Sequence, residues 1–262
     1  MATTAYHGLD TNSNPVDDTC HDDFYLGEMG MGAYSGDSTV YNSYYCISQN
    51  NRGDTGNTNP YSEWMYNNQR RTYGYWFLLG PMLANPDATA STYTCPNGKT
   101  LSGYRSYTVD TPSAAYAWGQ KQAQAANNAW LNDYPYTMGQ TIFGDVEQGE
   151  TSGWYPSSWT VNGYNAYELN QQVIIGFIQE LFNLGRVGGI YSSQGEWDTA
   201  TNSWTGLGSY TSHEWAANWP GISPSTCLPA WAPQGFGGVS PQIWQYYGSN
   251  TFDADAAISL PS

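Results

Sequence analysis

Apolar positions along the chain fall into short runs bounded by glycine, joined by two longer stretches with helical spacing. The run Thr141-Ile142-Phe143-Gly144-Asp145-Val146-Glu147 predicts a strand over 140–147. Side chains at i and i+2 of a strand share a face, so Asp145 and Glu147 point the same way. Similar runs predict strands over 6–10, 23–30, 72–80, 186–193, 213–219 and 241–247. Pro112 opens an Ala- and Gln-rich stretch that predicts a helix through Leu131, with Trp118, Ala125 and Ala129 on its packed face. Val173, Ile174, Phe177, Ile178, Leu181 and Phe182 form an i, i+3, i+4, i+7 stripe that predicts a helix over 168–184, stopped by Gly185. Segments 31–70 and 84–111 read as long polar loops, the first with a helix near 62–71. Strands alternating with helices through the centre imply parallel βαβ units. Helices fade in the last third, which argues for an irregular barrel over a regular eightfold one. Neither an internal repeat nor a linker divides the chain, so residues 1–262 read as one domain.

Composition narrows the class of function. Charged residues are 11% of the chain, against a usual quarter or so, while aromatics reach 16%. So many rings exclude disorder and suggest a surface of hydroxyls, amides and ring edges, as extracellular carbohydrate-active proteins have. A net charge of −15 disfavours nucleic acid and anionic membrane as partners. The best apolar run, 173–182, is too short to span a bilayer. The four cysteines, Cys20, Cys46, Cys95 and Cys227, lack metal-ligand spacing and imply two disulfides with three possible pairings. Met1-Ala2-Thr3-Thr4-Ala5 reads as a mature secreted N-terminus behind an added initiator methionine, so a secreted protein is expected. Oligomeric state is not legible.

Acidic residues recur at strand ends: Asp10, Glu28, Asp145, Glu147, Asp253 and Asp255. In a parallel barrel all strand C-terminal ends open on one face, where loops build the active site. Carboxylates gathered there among Tyr and Trp suit glycoside hydrolysis, in which one acid protonates the leaving oxygen and another anion stabilises or attacks the oxocarbenium-like centre. The bland reading of Asp145 and Glu147 is a solvated acidic edge strand. His7, His21 and His213 are scattered, and no H-E-x-x-H occurs, so no metal is expected. Asp10-x-Asn12-x-Asn14 starts like a calcium loop, but Pro15 stands where glycine is required, so it reads as a turn. No nucleophile elbow, P-loop or dinucleotide fingerprint is present, and no cofactor is expected.

In this order the elements resemble the glycoside hydrolase family 25 lysozymes and related glycoside-hydrolase-like barrels. The resemblance is carried by Asp10 ending the first strand and Tyr73-Gly74-Tyr75-Trp76-Phe77 on the third. Asp145-Val146-Glu147 matches the family's D-x-E, and Gly189-Ile190-Tyr191-Ser192-Ser193 its G-I-Y strand. Trp215-Ala216-Ala217, Trp244-Gln245-Tyr246 and Asp253-Ala254-Asp255 complete it. The resemblance implies an α/β fold, a TIM-like barrel of the (β/α)5β3 type with long disulfide-bearing loops. It also implies cleavage of β-1,4 bonds in peptidoglycan or a related N-acetylated glycan. By the same resemblance Glu147 is the general acid/base, and Asp145 orients the acetamido group in a neighbouring-group or similar retaining mechanism. Asp10 and Asp253 position that pair, and Tyr75, Tyr191, Trp215, Trp244 and Tyr246 line the groove. Three features depart from the family: no Gln-Gly follows Asp10, Trp76 replaces a histidine, and two cysteine-bearing loops enlarge the chain. The alternative is a non-catalytic carbohydrate-binding or cell-surface structural protein on the same scaffold.

Overall fold

The computed structural model describes residues 4, 6–10, 23–31, 46–47, 71–82, 92–94, 100–102, 109–133, 139–148, 152–249 and 253–262. The elements are β1 (Tyr6–Asp10), β2 (Phe24–Met31), β3 (Cys46–Ile47), β4 (Arg71–Phe77), β5 (Thr92–Thr94) and β6 (Thr100–Ser102). Helix α1 (Pro112–Asp133), β7 (Thr141–Asp145), the hairpin β8 (Thr160–Val161) and β9 (Tyr164–Asn165), and α2 (Ala166–Asn183) follow. The chain closes with β10 (Val187–Ser193), α3 (Gln194–Thr201), β11 (Glu214–Ala217), β12 (Ile243–Tyr247) and β13 (Asp253–Ala257).

Eight strands close into a barrel in the order β1-β2-β4-β7-β10-β11-β12-β13. Neighbours from β1 round to β12 are parallel. Strand β13 runs antiparallel between β12 and β1 and completes the ring. Among the described residues, α-helices follow β4, β7 and β10, and none joins β11, β12 and β13. The expected α/β barrel with a helix-poor last third is therefore present. The expected helix near 62–71 and the side chains of Cys20, Cys46 and Cys95 lie outside the described residues.

Strand alternation divides the apolar side chains into two layers. Phe24, Leu26, Tyr73, Phe143, Tyr191, Trp215, Ile243 and Ala257 fill the lumen. Trp76, Ile142, Val146 and Ile190 face outward and pack under the helices. At the strand N-terminal end the last residues close the barrel: Tyr73 donates to the Pro261 carbonyl at 2.8 Å and Thr141 to the Ser262 carbonyl at 3.1 Å.

The two long helices form for local reasons. Thr111 caps α1, its hydroxyl accepting from the Ala114 N–H at 3.3 Å, and Pro112 occupies the first turn where no N–H is needed. Arg186 N–H bonds the Leu181 carbonyl at 2.8 Å and Gly185 N–H the Phe182 carbonyl at 3.0 Å. These are the two bonds of a Schellman turn, with Gly185 at φ +76°. The helices cross with backbones in contact. A Cβ on Gly176 would sit 2.1 Å from the Tyr116 carbonyl oxygen, and one on Gly119 2.0 Å from that of Val173. Phe182 corrects the predicted stripe: it is 77% exposed, because it sits at the stripe's edge on the last turn of α2.

Two other expectations change at their ends. The strand predicted over 72–80 leaves the sheet after Phe77, and Gln122 of α1 takes over Leu79, accepting from its N–H and donating to its carbonyl, both at 2.8 Å. The strand predicted over 140–147 ends at Asp145. Its continuation stays bound to β10: Val146 N–H donates to the Tyr191 carbonyl at 2.9 Å, and the Ser192 hydroxyl donates to the Val146 carbonyl at 2.7 Å.

Candidate active site

The strand C-terminal ends converge on one mouth. Asp10 ends β1 and lies in register with Asp253, the first residue of β13. Because β13 is antiparallel, its start reaches the mouth that the other strands reach with their ends. Asp253 and Asp255 are thus on the final strand, where the sequence reading had them following the last strand. One pleat deeper, Asp255 lies in register between Gly8 of β1 and Gln245 of β12. Asp145 ends β7 and is buried, and Glu147 follows two residues on, half-buried.

Gln245 joins the two walls. Its Nε2 donates to Asp10 Oδ2 at 2.7 Å, and its Oε1 accepts from the Tyr191 hydroxyl at 3.0 Å and the Trp219 indole N–H at 3.1 Å. Below it, the Trp215 indole N–H donates to Asp255 Oδ1 at 2.8 Å. Asp253 Oδ1 accepts from the Ser249 N–H at 2.7 Å. Above these groups a cleft of about 340 Å³ is lined by Glu147, Tyr191, Trp219, Gln245, Gly248, Ser249 and Asp253. None of these lining residues is a Lys, Arg or His. Among the described residues, no group of His, Cys, Asp and Glu is arranged to hold a metal.

The predicted site residues divide by depth at the mouth and by strand face. Glu147, Asp253 and Tyr191 open on the cleft. Asp10 and Asp145 lie buried beneath it, and both raise the cost of ionising the Tyr191 hydroxyl. Trp215 is a buried floor residue, with ring centres 4.2 Å from Tyr191, 5.7 Å from Tyr75 and 5.8 Å from Phe143. Trp244 and Tyr246 do not join them. Ile243 and Gln245 take the inward face of β12, so alternation sends Trp244 and Tyr246 outward. There Trp244 packs against Trp231 and donates to the Asn218 carbonyl at 3.0 Å, while the Tyr246 hydroxyl bonds the Thr226 carbonyl at 3.0 Å.

Sequence reasoning missed Gln245, Trp219 and Glu196 as site residues, and counted Asp255 among the strand-end acids without giving it a role. A signal existed for Glu196: Ser193-Gln194-Gly195-Glu196 is a capping-box pattern, and the Ser193 hydroxyl accepts from the Glu196 N–H at 3.2 Å at the start of α3. Glu196 Oε2 then accepts from the Gln148 N–H at 2.5 Å, which brings it beside Glu147.

Crowding sets the protonation states. Burial first, then the Glu196 charge and the Asp253 charge, push the Glu147 carboxyl above the ordinary glutamate range, with the neighbouring Tyr191 hydroxyl opposing. Asp10 is pushed well up by burial and by Asp253, with the Gln245 amide opposing. Burial also raises Asp253, opposed by the Ser249 N–H and Asp10. The mouth therefore offers a carboxyl that keeps its proton above the usual range beside other carboxyls, an arrangement suited to general acid catalysis.

This barrel, seven strands parallel and the eighth reversed, has counterparts of known structure. It superposes on a muramidase from Trichobolus zukalii at a TM-score of 0.53 and 15% identity, covering 97% of this chain and 93% of that one. It matches a family GH25 lysozyme from Aspergillus fumigatus at 0.50 and 14%, covering 98% and 94%. It matches the modular Cpl-1 endolysin, solved with a peptidoglycan analogue, at 0.51 and 12%, covering 100% of this chain and 56% of that one. No family model and no curated protein sequence matches the chain. The chain thus has the fold of the family GH25 lysozymes, and at this sequence distance the likeness shows the fold.

Proposed function

We propose that the protein is a secreted glycoside hydrolase that cleaves β-1,4 bonds of peptidoglycan or a related N-acetylated glycan. The observation that carries this reading is Glu147: a carboxyl with raised proton affinity, opening with Asp253, Tyr191 and Trp219 on one cleft at the strand C-terminal mouth. The muramidase, lysozyme and endolysin structures that share the fold support the same substrate class.

Glu147 gives its proton to the glycosidic oxygen as the bond breaks and takes one back from the incoming water. Asp145, on the same side and deeper, faces the acetamido group of the sugar as that group assists from the opposite side. Asp10 and Asp253 hold negative charge where the oxocarbenium-like centre forms. Trp219, with its ring 62% exposed beside the cleft, offers a flat face to a sugar. Disulfides that brace the outer loops belong to the same proposal for a secreted enzyme.

Incubation with purified peptidoglycan, followed by mass spectrometry of released fragments, tests the reading. Fragments ending in reducing muramic acid are expected. Reducing glucosamine ends, or no fragments at all, would remove the muramidase assignment.

A further inference from the structure

Asp255 is a buried acid to which the proposed chemistry gives no part. It is fully buried, and the position facing it on β1 is Gly8, which contributes no side chain. Its Oδ1 is taken by the Trp215 indole, whereas its Oδ2 is buried with no hydrogen-bond donor among the described residues, on the strand face it shares with Asp253, one pleat below the Asp10–Asp253 pair. A buried carboxyl oxygen with no donor is costly as an anion, whereas a protonated one becomes a donor, and a neighbouring carboxylate can then accept from it. The titratable groups that act on it are Asp10 from β1 and Asp253 from its own strand, both acidic. No lysine, arginine or histidine is among the partners of Asp10, Asp253 or Asp255 within the described residues.

We propose that Asp255 is a positioning residue: a neutral carboxylic acid beneath the mouth that donates its proton to Asp10 and so fixes Gln245, Tyr191 and Trp219. The path is continuous. Asp255 supports Asp10, Asp10 accepts from Gln245 Nε2, and this turns Gln245 Oε1 toward Tyr191 and Trp219, both on the cleft. Asp255 holds the proton because it is the deeper of the two, with a single neutral donor, whereas Asp10 has the Gln245 amide for its charge. Burial, reinforced by the Asp10 charge, pushes the Asp255 carboxyl well above the usual range. As pH rises through that raised value the proton leaves, and the Asp10 contact turns repulsive.

Carboxyl carbon NMR of protein labelled at aspartate, with Asp255→Asn removing one signal for assignment, reads the protonation state directly. Asp255 is expected at the protonated-acid position at pH 7; a carboxylate position there overturns the proposal. The catalytic consequence rests on the hydrolase reading. Asn reproduces both contacts and cannot lose its donor, so Asp255→Asn is expected to extend the alkaline limb of peptidoglycan cleavage. Asp255→Leu is expected to lower kcat at least tenfold at every pH. An Asp255→Asn profile that narrows, or matches that of Asp255→Leu, counts against the proposal. A parent protein inactive on every wall preparation sinks the hydrolase reading instead, and the NMR result alone then decides the role of Asp255.

Discussion

The helix crossing and the mouth of the barrel are built on opposite terms. Where α1 meets α2, glycine lets backbones touch and apolar side chains fill the remaining core, while Glu180 at the edge is met by the amides of Gln120 and Gln124. At the mouth, Asp10, Asp253 and Asp255 crowd together, and Glu147 meets the charge of Glu196, each pushed up mainly by burial. Close packing in the outer layer stabilises the fold. The mouth strains it, because each buried carboxyl either keeps a proton it would lose in water or holds an unfavourable charge. A change at the crossing should therefore lower stability, whereas neutralising an acid at the mouth should lower activity and leave stability equal or higher.

The sharpest break in that contrast comes from Glu147→Gln. Removing a proton-transfer group lowers kcat on peptidoglycan by about 10²–10⁴-fold. Tm should hold or rise, since the variant no longer carries an acid disfavoured by burial; a fall in Tm matching the loss of activity would make Glu147 structural. Next in size, Gly176→Ala forces a Cβ against the Tyr116 carbonyl and should cost about 1–3 kcal/mol in chemical denaturation. An unchanged midpoint would mean that the helices separate freely at this point.

Glu214 extends the comparison to an acid outside the mouth. It is fully buried on the outward side of β11, its Oε1 accepts from the Phe236 N–H at 2.9 Å, and burial pushes its carboxyl up to about 8. A raised acid contributes its full stability below the ordinary glutamate range, and that contribution is lost as pH rises through about 8. Glu214→Gln should remove part of this decline and raise Tm at pH 9 by several degrees, at about 2–4 °C per kcal/mol for a chain of this size. Equal slopes of Tm against pH for the two proteins would show that Glu214 ionises without cost. The smallest effect belongs to Trp219→Ala, which should raise KM for soluble glycan fragments roughly 3- to 10-fold through loss of one stacking face, with little change in Tm. A drop in kcat with KM unchanged would place Trp219 in orienting Gln245 rather than in binding sugar.

Legibility in the sequence followed the range of the interaction. The strands at 6–10 and 186–193, the helix opened by Pro112 and the Gly185 stop rest on neighbours a few residues apart, and they stand within a residue or two of where the pattern puts them. The β8–β9 hairpin rests on the equally local Asn162-Gly163 turn, with both residues at positive φ, a signal available in the chain and passed over. Strand β13 was missed for a different reason. Asp253-Ala254-Asp255-Ala256-Ala257 has little β propensity of its own and exists as a strand because β12 and β1 supply both of its hydrogen-bonding edges.

Acids at strand ends, and strands that alternate with helices before the helices give out, are legible in the linear pattern. These are consequences of period and neighbour chemistry, which a linear pattern carries. Which acids meet is a matter of the folded barrel, because pairing depends on register between strands distant in sequence. Reversal of the last strand sets Asp253 against Asp10, and the inward turn of β12 makes Gln245 a site residue while Trp244 and Tyr246 go to the outer face. A shift of one residue in that register would exchange the two faces of β12. The choice between them lies in how the barrel closes and not in the order of its residues.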